Sequence, residues 1–307
     1  MSEFWAKVGK TLRYHSRQLA IVLRGAWWDI VHPQVHAPVF IVGCSRAGTT
    51  LVYKTLSECR DLGSLQRETH NFWAELHSPE ERNWDSHAIP RAMANDWDRD
   101  YVGRYFYSWT GKRRFVDKNN QNGLCVPYLH ALFPDAHFIY VKRSPGDNLN
   151  SLIEGWGKPE EFASWSRRLP ETVAVDGGKY ALWCFFLSQG WRDCLRASIE
   201  EVCAFQYDAI NTEILDAREM VAADRWHEVF YEDIVRDPVV RFRELFTLCG
   251  LSFDARLEQH CQEVLSIPYN AFSEIRLDKW RDGRNQERIK RILPTIEKVV
   301  TRMGYSL

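Results

Sequence analysis

The sequence lacks any apolar run long enough to cross a bilayer, which takes about 20 residues. Its most apolar stretch, Leu19 to Leu23, ends at Arg24. The apolar core of a cleavable signal peptide is also missing, because the first residues form an amphipathic pattern. Together these absences predict a cytoplasmic protein and leave peripheral contact with a membrane surface open.

An excess of charge of either sign is also missing. The 307 residues include 40 Lys and Arg against 41 Asp and Glu, which gives a net charge of −1. No overall positive field attracts nucleic acid, so we expect no nucleic-acid partner. The eight cysteines contain no CxxC pair, which favours reduced and buried thiols over a disulfide framework.

Patterns of metal ligands are equally scarce. His32 and His36 lie on either side of Pro33 without a third ligand nearby. The chain has no HExxH motif and no cluster of paired carboxylates. We therefore expect no catalytic metal.

Residues 1–36 differ in pattern from the rest of the chain. Pro33 and Pro38 separate them from the next element. Such a helix either docks on its own domain, lies on an anionic membrane surface, or closes over a lipid acceptor. We expect an N-terminal amphipathic helical segment, residues 1–36, followed by one domain, residues 37–307. The apolar positions at roughly helical spacing are Trp5, Val8, Leu12, Leu19, Val22, Ala26 and Ile30, and the basic ones are Lys7, Lys10, Arg13, Arg17 and Arg24.

From Pro38 onward, short apolar strands alternate with helical stretches. Strands are predicted at residues 39–42, 114–116, 137–141 and 228–231. Ser144 and Pro145 have the pattern of an N-cap followed by the first residue of a helix. This alternation predicts an α/β fold with a central parallel sheet and helices on both faces. Ligands of such sheets bind at the carboxyl ends of the strands.

Residues 43–50, Gly-Cys-Ser-Arg-Ala-Gly-Thr-Thr, follow the first predicted strand and open a helix. The two glycines have the G-x-x-x-x-G spacing of a phosphate loop, where backbone N–H groups and a helix N-terminus face an anion. A loop for ATP needs Lys at position 49. This chain has Thr49 there, and its cation is Arg46. The motif predicts a P-loop-containing nucleotide-binding fold. It also indicates that the transferred group is not a phosphoryl group.

A sulfuryl group fits this altered loop. It carries less negative charge than a phosphoryl group, so a bound Mg²⁺ is not obligatory. The charge that develops on the leaving 5′-phosphate can be stabilised by one positioned cation, here Arg46, together with backbone and hydroxyl donors.

On these residues the chain resembles the sulfotransferase family that uses 3′-phosphoadenosine 5′-phosphosulfate (PAPS). The family's loop reads Pro-Arg-Ser-Gly-Thr-Thr or Pro-Lys-Ser-Gly-Thr-Thr, and this chain has Ser45 and Ala47 in place of the Pro and the Ser. The family also binds the donor's 3′-phosphate with an Arg at a strand end and a Ser eight residues later. Arg143 and Ser151 have that spacing, and an Arg fork beside a helix N-terminus suits phosphate.

The resemblance spans roughly residues 38–305 and implies the remaining donor contacts. Tyr231 opens a Tyr-Glu-Asp segment like the one whose Tyr helps to hold the nucleotide in the family. A basic stretch near the C-terminus resembles the family's loop over the 3′-phosphate. The expected donor-binding residues are Arg46, Ala47, Gly48, Thr49, Thr50, Arg143, Ser151, Tyr231, Arg276, Lys279, Trp280 and Arg281.

The acceptor must lose a proton, which requires a carboxylate or imidazole within hydrogen-bond reach. Glu68-Thr-His70-Asn-Phe72 resembles the Glu-x-His-x-Phe stretch of sulfotransferases that act on sugars, where the Glu is the base. Glu68 is therefore the expected base, and His70 is the alternative. Lys118 follows a predicted strand where many members carry Lys-Thr-Pro or Lys-Ser-Pro. By resemblance it contacts the sulfuryl group or the acceptor.

The expected function is transfer of a sulfuryl group from PAPS to a hydroxyl or amine. The expected acceptor is a carbohydrate, a glycolipid or another small molecule. A phosphate-loop kinase and an inactive nucleotide-binding module are the alternatives that the sequence leaves open.

Overall fold

The sheet at the centre of the fold has four parallel strands. The computed structural model describes the backbone of residues 2–267 and 275–307, and side chains in those ranges from residue 14 onward. The strands are β1 (Val39–Val42), β2 (Val116–Lys118), β3 (His137–Lys142) and β4 (Trp226–Phe230). Their order is β2-β1-β3-β4, which puts β1 and β3 in the middle.

Apolar side chains cover both faces of this sheet. Side chains alternate along a strand, so Phe40 and Val42 of β1 join one apolar core while Val39 and Ile41 join the other. Strands β1, β2 and β3 are buried along their whole length. Burial on both faces is expected for a parallel sheet, and it confirms the predicted α/β fold.

The described residues form fourteen α-helices, of which α7 and α8 are single turns. Helices α5, α6 and α9 pack on the face that contains Phe40, and α2, α11 and α12 pack on the face that contains Val39. The helices are α1 (Ser2–Val31), α2 (Thr49–Ser57), α3 (His70–Leu76), α4 (Asp96–Thr110), α5 (Val126–Leu132), α6 (Pro145–Trp156), α7 (Pro159–Phe162), α8 (Val175–Gly178), α9 (Ile199–Ala217), α10 (Tyr231–Arg236), α11 (Pro238–Leu248), α12 (Ala255–Glu263), α13 (Gln286–Ile292) and α14 (Glu297–Arg302).

The ends of several elements differ from the sequence-based expectation. Strand β1 has the predicted bounds, whereas β2 begins only at Val116, because Phe115 pairs with Gly63 outside the sheet. Strand β4 ends before Tyr231, which opens α10. Helix α6 begins at Pro145 as predicted. Ser144 occupies its N-cap position without a side-chain cap bond, and its backbone N–H donates to a Glu232 carboxylate oxygen instead.

One face of α1 docks against α4. Trp28 is buried, and its indole N–H donates to Asp100 Oδ1 at 2.9 Å. Arg104 of α4 donates to both carboxylate oxygens of Asp29, at 2.6 and 2.9 Å. Gly25 provides the close approach, since a Cβ there would lie 3.1 Å from the Arg104 guanidinium. Docking on its own domain, the first alternative for this segment, is therefore observed for its C-terminal half.

The N-terminal segment was also expected to have an apolar face in its first turns and to form a separate unit. Trp5, Val8 and Leu12 lie outside the residues whose side chains are described. The division of the chain after residue 36 remains a prediction. No helix in the described ranges is both long enough and apolar enough to cross a bilayer.

We predict that Trp28→Ala releases α1 from α4. The substitution removes a buried indole and its hydrogen bond, and loss of a large core side chain costs about 3–5 kcal/mol. Hydrogen exchange of the backbone amides of residues 14–31 should then accelerate strongly. Trp27→Ala is the matched control, since Trp27 is 54% exposed. Equal acceleration in both variants would contradict the docked arrangement.

Candidate functional site

The loop between β1 and α2 forms one wall of a cleft at the carboxyl ends of the strands. Arg46 has φ +68° and Gly48 has φ +98°, both in the left-handed region that glycine tolerates best. A Cβ on Gly48 would lie 2.2 Å from the Tyr231 ring. Gly48 is also the N-cap of α2 and offers no side-chain cap. The N–H groups of the first turn are therefore not capped by that residue and are available to an anion.

Two guanidinium groups meet beside this loop. Arg143 follows β3 and donates from Nη1 to the Arg46 carbonyl oxygen at 2.7 Å, while its guanidinium lies 4.7 Å from the Tyr231 ring centre. Arg46 donates from Nε to Ser151 Oγ at 3.3 Å. Burial and the neighbouring Arg143 lower the pKa of Arg46 to about 10, so Arg46 stays cationic at neutral pH.

The Arg143 side chain has unused donor capacity in this cleft. Its Nε is buried and has no hydrogen-bond partner. A buried guanidinium N–H without a partner is costly, and an anionic ligand removes that cost. The two arginines and the α2 N-terminus thus form an anion-binding wall.

A carboxylate and a lysine form a second wall of the cleft, which meets the first at Thr50. Lys118, at the end of β2, donates to Glu68 Oε1 at 2.5 Å and to Thr50 Oγ1 at 3.2 Å. His70 Nδ1 lies 3.7 Å from Glu68 Oε2. Burial raises the pKa of Glu68, but the positive charge and the hydrogen bond of Lys118, together with the charge of Arg46, outweigh burial and leave that pKa below its usual value. Burial lowers the pKa of His70. Glu68 is thus ionised and His70 neutral near pH 7.

A buried carboxylate holds the Glu68 segment against the sheet. Asp117, in β2 next to Lys118, accepts hydrogen bonds from Thr69 Oγ1 at 2.6 Å, Trp73 Nε1 at 3.0 Å and Asn122 Nδ2 at 3.2 Å. The bonds to Thr69 and Trp73 fix the start of α3, which carries His70. Asp117 is therefore a positioning residue. The sequence places Asp117 directly after a predicted strand but gives no sign of this role.

The basic stretch near the C-terminus is tied to the first turn of α6. Asp147 accepts from the backbone N–H groups of Asp278 at 2.7 Å and Trp280 at 3.3 Å. Trp280 is buried against Gly146, where a Cβ would lie 2.3 Å from the indole. Trp280 thus anchors the stretch without lining the cleft.

Most of the sequence-predicted residues line the same cleft. Arg281 pairs with Asp278, and neither it nor Ala47, His70 or Trp280 is among the lining residues. Sequence reasoning missed Phe185, whose bulky side chain lies outside every motif. Predicted residues that line the cleft are Arg46, Gly48, Thr49, Thr50, Glu68, Lys118, Arg143, Ser151, Tyr231, Arg276 and Lys279, and unpredicted ones include Asn120, Asn150, Glu154 and Phe185.

Phe185 has an unusual backbone. Its φ is +71°, which a bulky residue rarely adopts. Its carbonyl oxygen accepts from Asn120 Nδ2 at 3.0 Å, and its ring lies 5.1 Å from that of Phe162. These contacts hold the strained backbone of Phe185 in place. The Phe162 ring in turn lies 5.4 Å from the Arg46 guanidinium, so the two rings form an aromatic wall beside the Arg46 loop.

In the described part of the chain, three side chains of metal-ligating type lie together near the amino ends of β3 and β4. His137, His227 and Cys249 bring their ligand atoms within 4.8 Å of one another. His137 Nδ1 lies 2.8 Å from His227 Nε2, and Arg225 donates to His137 Nε2 at 2.6 Å. Hydrogen bonding accounts for this histidine pair, since Arg225 leaves His137 to act as donor through Nδ1.

We predict that Lys118→Met raises the pKa of Glu68 above its usual value. The substitution removes the cation that counters burial, and burial alone disfavours the charged carboxylate. Carboxyl ¹³C NMR during a pH titration measures the change. Lys54→Met is the control, since Lys54 donates to the Gln66 carbonyl oxygen outside the cleft. An unchanged Glu68 pKa in Lys118→Met would contradict the ion pair.

Comparisons with known proteins find similarity in sequence and in fold. Part of the chain is 29% identical over 133 residues to nodulation protein NoeE of Sinorhizobium fredii, covering 39% of this chain and 32% of that protein. The aligned part thus spans about a third of the length of this curated relative.

Two solved structures share the fold. Sulfotransferase STF9 from Mycobacterium avium has a TM-score of 0.54 at 15% identity, over 95% of this chain and 85% of that one. The sulfotransferase domain of the Synechococcus PCC 7002 olefin synthase has a TM-score of 0.53 at 18% identity, over 90% and 98%. The family model described as the Sulfotransferase family matches residues 38–210 and 178–255. The chain therefore belongs to the sulfotransferase family.

Proposed function

We propose that this protein transfers a sulfuryl group from PAPS to a hydroxyl or amine of an acceptor. The observation that supports the proposal is that one cleft has a cationic wall and a wall with a carboxylate. One wall has Arg46, Arg143 and an uncapped helix N-terminus, which suit a phosphorylated donor. The other has an ionised carboxylate, Glu68, held by Lys118, which suits proton removal from an acceptor.

The donor's phosphates fit the first wall. Arg143, with its buried and unpartnered Nε, and Ser151 bind the 3′-phosphate in this proposal. The 5′-phosphate lies against residues 46–50 of the loop, where Gly48 leaves room for the Tyr231 ring. Arg276 and Lys279 add positive charge at the rim, while Trp280 contributes by anchoring their loop. Arg281 meets the donor only if its ion pair with Asp278 opens.

The transfer itself is an in-line displacement at sulfur. The acceptor oxygen or nitrogen forms a bond to sulfur as the bond from sulfur to the bridging phosphate oxygen breaks. The electron pair of that bond stays on the product, 3′-phosphoadenosine 5′-phosphate (PAP). Arg46 and Lys118 stabilise the negative charge that grows on the bridging oxygen, and Glu68 takes the proton of the acceptor.

Glu68 is preferred over His70 as the base because of its position. Glu68 lines the cleft, whereas His70 is not among the lining residues. His70 has a lowered pKa and is neutral, so it remains the alternative base. A kinase reaction is disfavoured because Thr49 occupies the position of the phosphate-loop lysine.

The proposal extends to the partners of the protein and to its place in the cell. The acceptor is a carbohydrate, a glycolipid or another small molecule, and Phe185 with Phe162 provides an aromatic wall beside it. The reaction needs no metal and no nucleic acid. The protein is cytoplasmic and touches a membrane surface through residues 1–30.

We predict that Arg143→Ala selectively weakens binding of PAP. The substitution leaves the 3′-phosphate without its guanidinium partner, which costs about 2–4 kcal/mol. Calorimetry with PAP and with adenosine 5′-phosphate, which lacks the 3′-phosphate, measures the selectivity. Arg241→Ala is the control, since Arg241 pairs with Glu244 on α11. Equal affinity of the wild-type protein for the two nucleotides would remove the donor assignment.

We predict that Glu68→Gln lowers single-turnover sulfation by about 10²–10⁴-fold while PAP still binds. The amide keeps the shape of the side chain but cannot take a proton. The assay supplies PAPS and an acceptor found by mass spectrometry of sulfated extract fractions. Glu154→Gln is the matched control, because Glu154 is a second carboxylate in the cleft lining.

His70→Ala separates the two candidate bases in the same assay across pH. We expect it to cost less activity than Glu68→Gln. An active Glu68→Gln beside an inactive His70→Ala would make His70 the base. If neither substitution matters, the acceptor side of the cleft has been misplaced.

A further inference from the structure

The peptide bond between Arg143 and Ser144 is held by hydrogen bonds on both of its sides. Its carbonyl oxygen, which belongs to Arg143, accepts from Tyr207 Oη at 3.2 Å. Its N–H group, which belongs to Ser144, donates to Glu232 Oε1 at 2.8 Å. These two bonds are here called the peptide clamp. Because a trans peptide unit is planar and its C=O and N–H point in opposite directions, the clamp fixes the orientation of the whole plane.

Tyr305 completes the peptide clamp on the Glu232 side. Its hydroxyl donates to Glu232 Oε2 at 2.7 Å, so the two oxygens of this carboxylate have different partners. Glu232 is only 9% exposed, and a buried carboxylate is costly without such bonds. The Tyr305 ring packs edge-on against Phe230, with the ring centres 5.2 Å apart. Tyr305 therefore holds the Glu232 carboxylate in the position from which it accepts the Ser144 N–H.

The peptide clamp acts on the backbone of a residue whose side chain lines the cleft. Arg143 connects the end of β3 to the start of α6. Its guanidinium donates to the Arg46 carbonyl oxygen at 2.7 Å and lies 4.7 Å from the centre of the Tyr231 ring. Tyr231 directly precedes Glu232 in the chain. A shift of Glu232 would therefore disturb both the backbone of Arg143 and the ring that its guanidinium contacts.

We propose that Tyr305 and Glu232 are positioning residues that set the selectivity of the cleft for a nucleotide with a 3′-phosphate. The inference rests on the proposed function, in which Arg143 binds that phosphate. A guanidinium makes two parallel bonds to a phosphate only when its plane is aligned, so a rotated backbone weakens both bonds. Neither Tyr305 nor Glu232 is among the residues that line the cleft. Both act through Arg143.

Calorimetry on variants that lack a single hydroxyl tests the peptide clamp. Tyr305→Phe keeps the ring against Phe230 and removes the bond to Glu232. Tyr207→Phe removes the bond to the Arg143 carbonyl oxygen on the other side of the same peptide. We expect each substitution to lower the ratio of the affinity for PAP to the affinity for adenosine 5′-phosphate by about fivefold. The affinity for adenosine 5′-phosphate itself should change little, because that nucleotide has no 3′-phosphate.

Tyr128→Phe is the matched control for the loss of a hydroxyl. Tyr128 also donates to a buried carboxylate, Asp98 Oδ2 at 2.8 Å, between α5 and α4. This variant should keep the wild-type ratio whatever stability it loses. A double variant tests whether Tyr305 acts through Glu232. In a Glu232→Ala background, Tyr305→Phe should change the ratio no further, because the partner of the hydroxyl is already absent.

The same titrations distinguish failure of this inference from failure of the proposed function. Equal affinity of the wild-type protein for the two nucleotides would remove the donor assignment and this inference with it. A selective wild type whose ratio is unchanged in Tyr305→Phe would overturn the inference alone. An equal loss of affinity for both nucleotides in Tyr305→Phe would do the same, since it indicates a general structural change. If Tyr305→Phe does not fold, the ratio in Tyr207→Phe decides by the same criteria.

Discussion

The parallel alignment of β1 and β3 is the constraint on which the site depends. Because both strands run the same way between two apolar layers, their carboxyl ends open at one edge of the sheet. The loop after β1 carries Arg46, and the residue after β3 is Arg143. The sheet thus holds two cations side by side that would separate in water, and the Arg143 bond to the Arg46 carbonyl oxygen locks them there.

Electrostatic balance differs between the two walls of the cleft. On the donor side, burial and the like charge of Arg143 disfavour the cationic form of Arg46, so this wall favours an anion from outside the chain. On the acceptor side, Lys118 and Glu68 form an ion pair, and Asp117 fixes the Glu68 segment through its hydrogen bonds from Thr69 and Trp73. In the proposed reaction, the first wall binds the charged donor and the second receives a neutral group that loses a proton.

The sequence was sufficient for elements defined by local pattern. The apolar run at Val39–Val42 predicted β1, and the glycine loop predicted where α2 begins. Residues that converge through long-range packing had no such signal. Phe185 reaches the cleft from a segment without a motif, and its φ of +71° depends on tertiary contacts. Likewise, Trp280 looked like a ligand contact because it stands among basic residues, yet its indole fills the space beside Gly146.

The contact between Gly48 and Tyr231 links two positions that are 183 residues apart in the chain. The tyrosine ring occupies the space that any larger residue at position 48 would require. Replacing Gly48 with a larger residue would distort the loop unless Tyr231 were also replaced by a smaller residue. A smaller residue at position 231 would in turn remove the ring that the Arg143 guanidinium contacts. These three positions are therefore expected to change together or to stay fixed together, so that covariation among relatives would trace the cleft without any ligand being known.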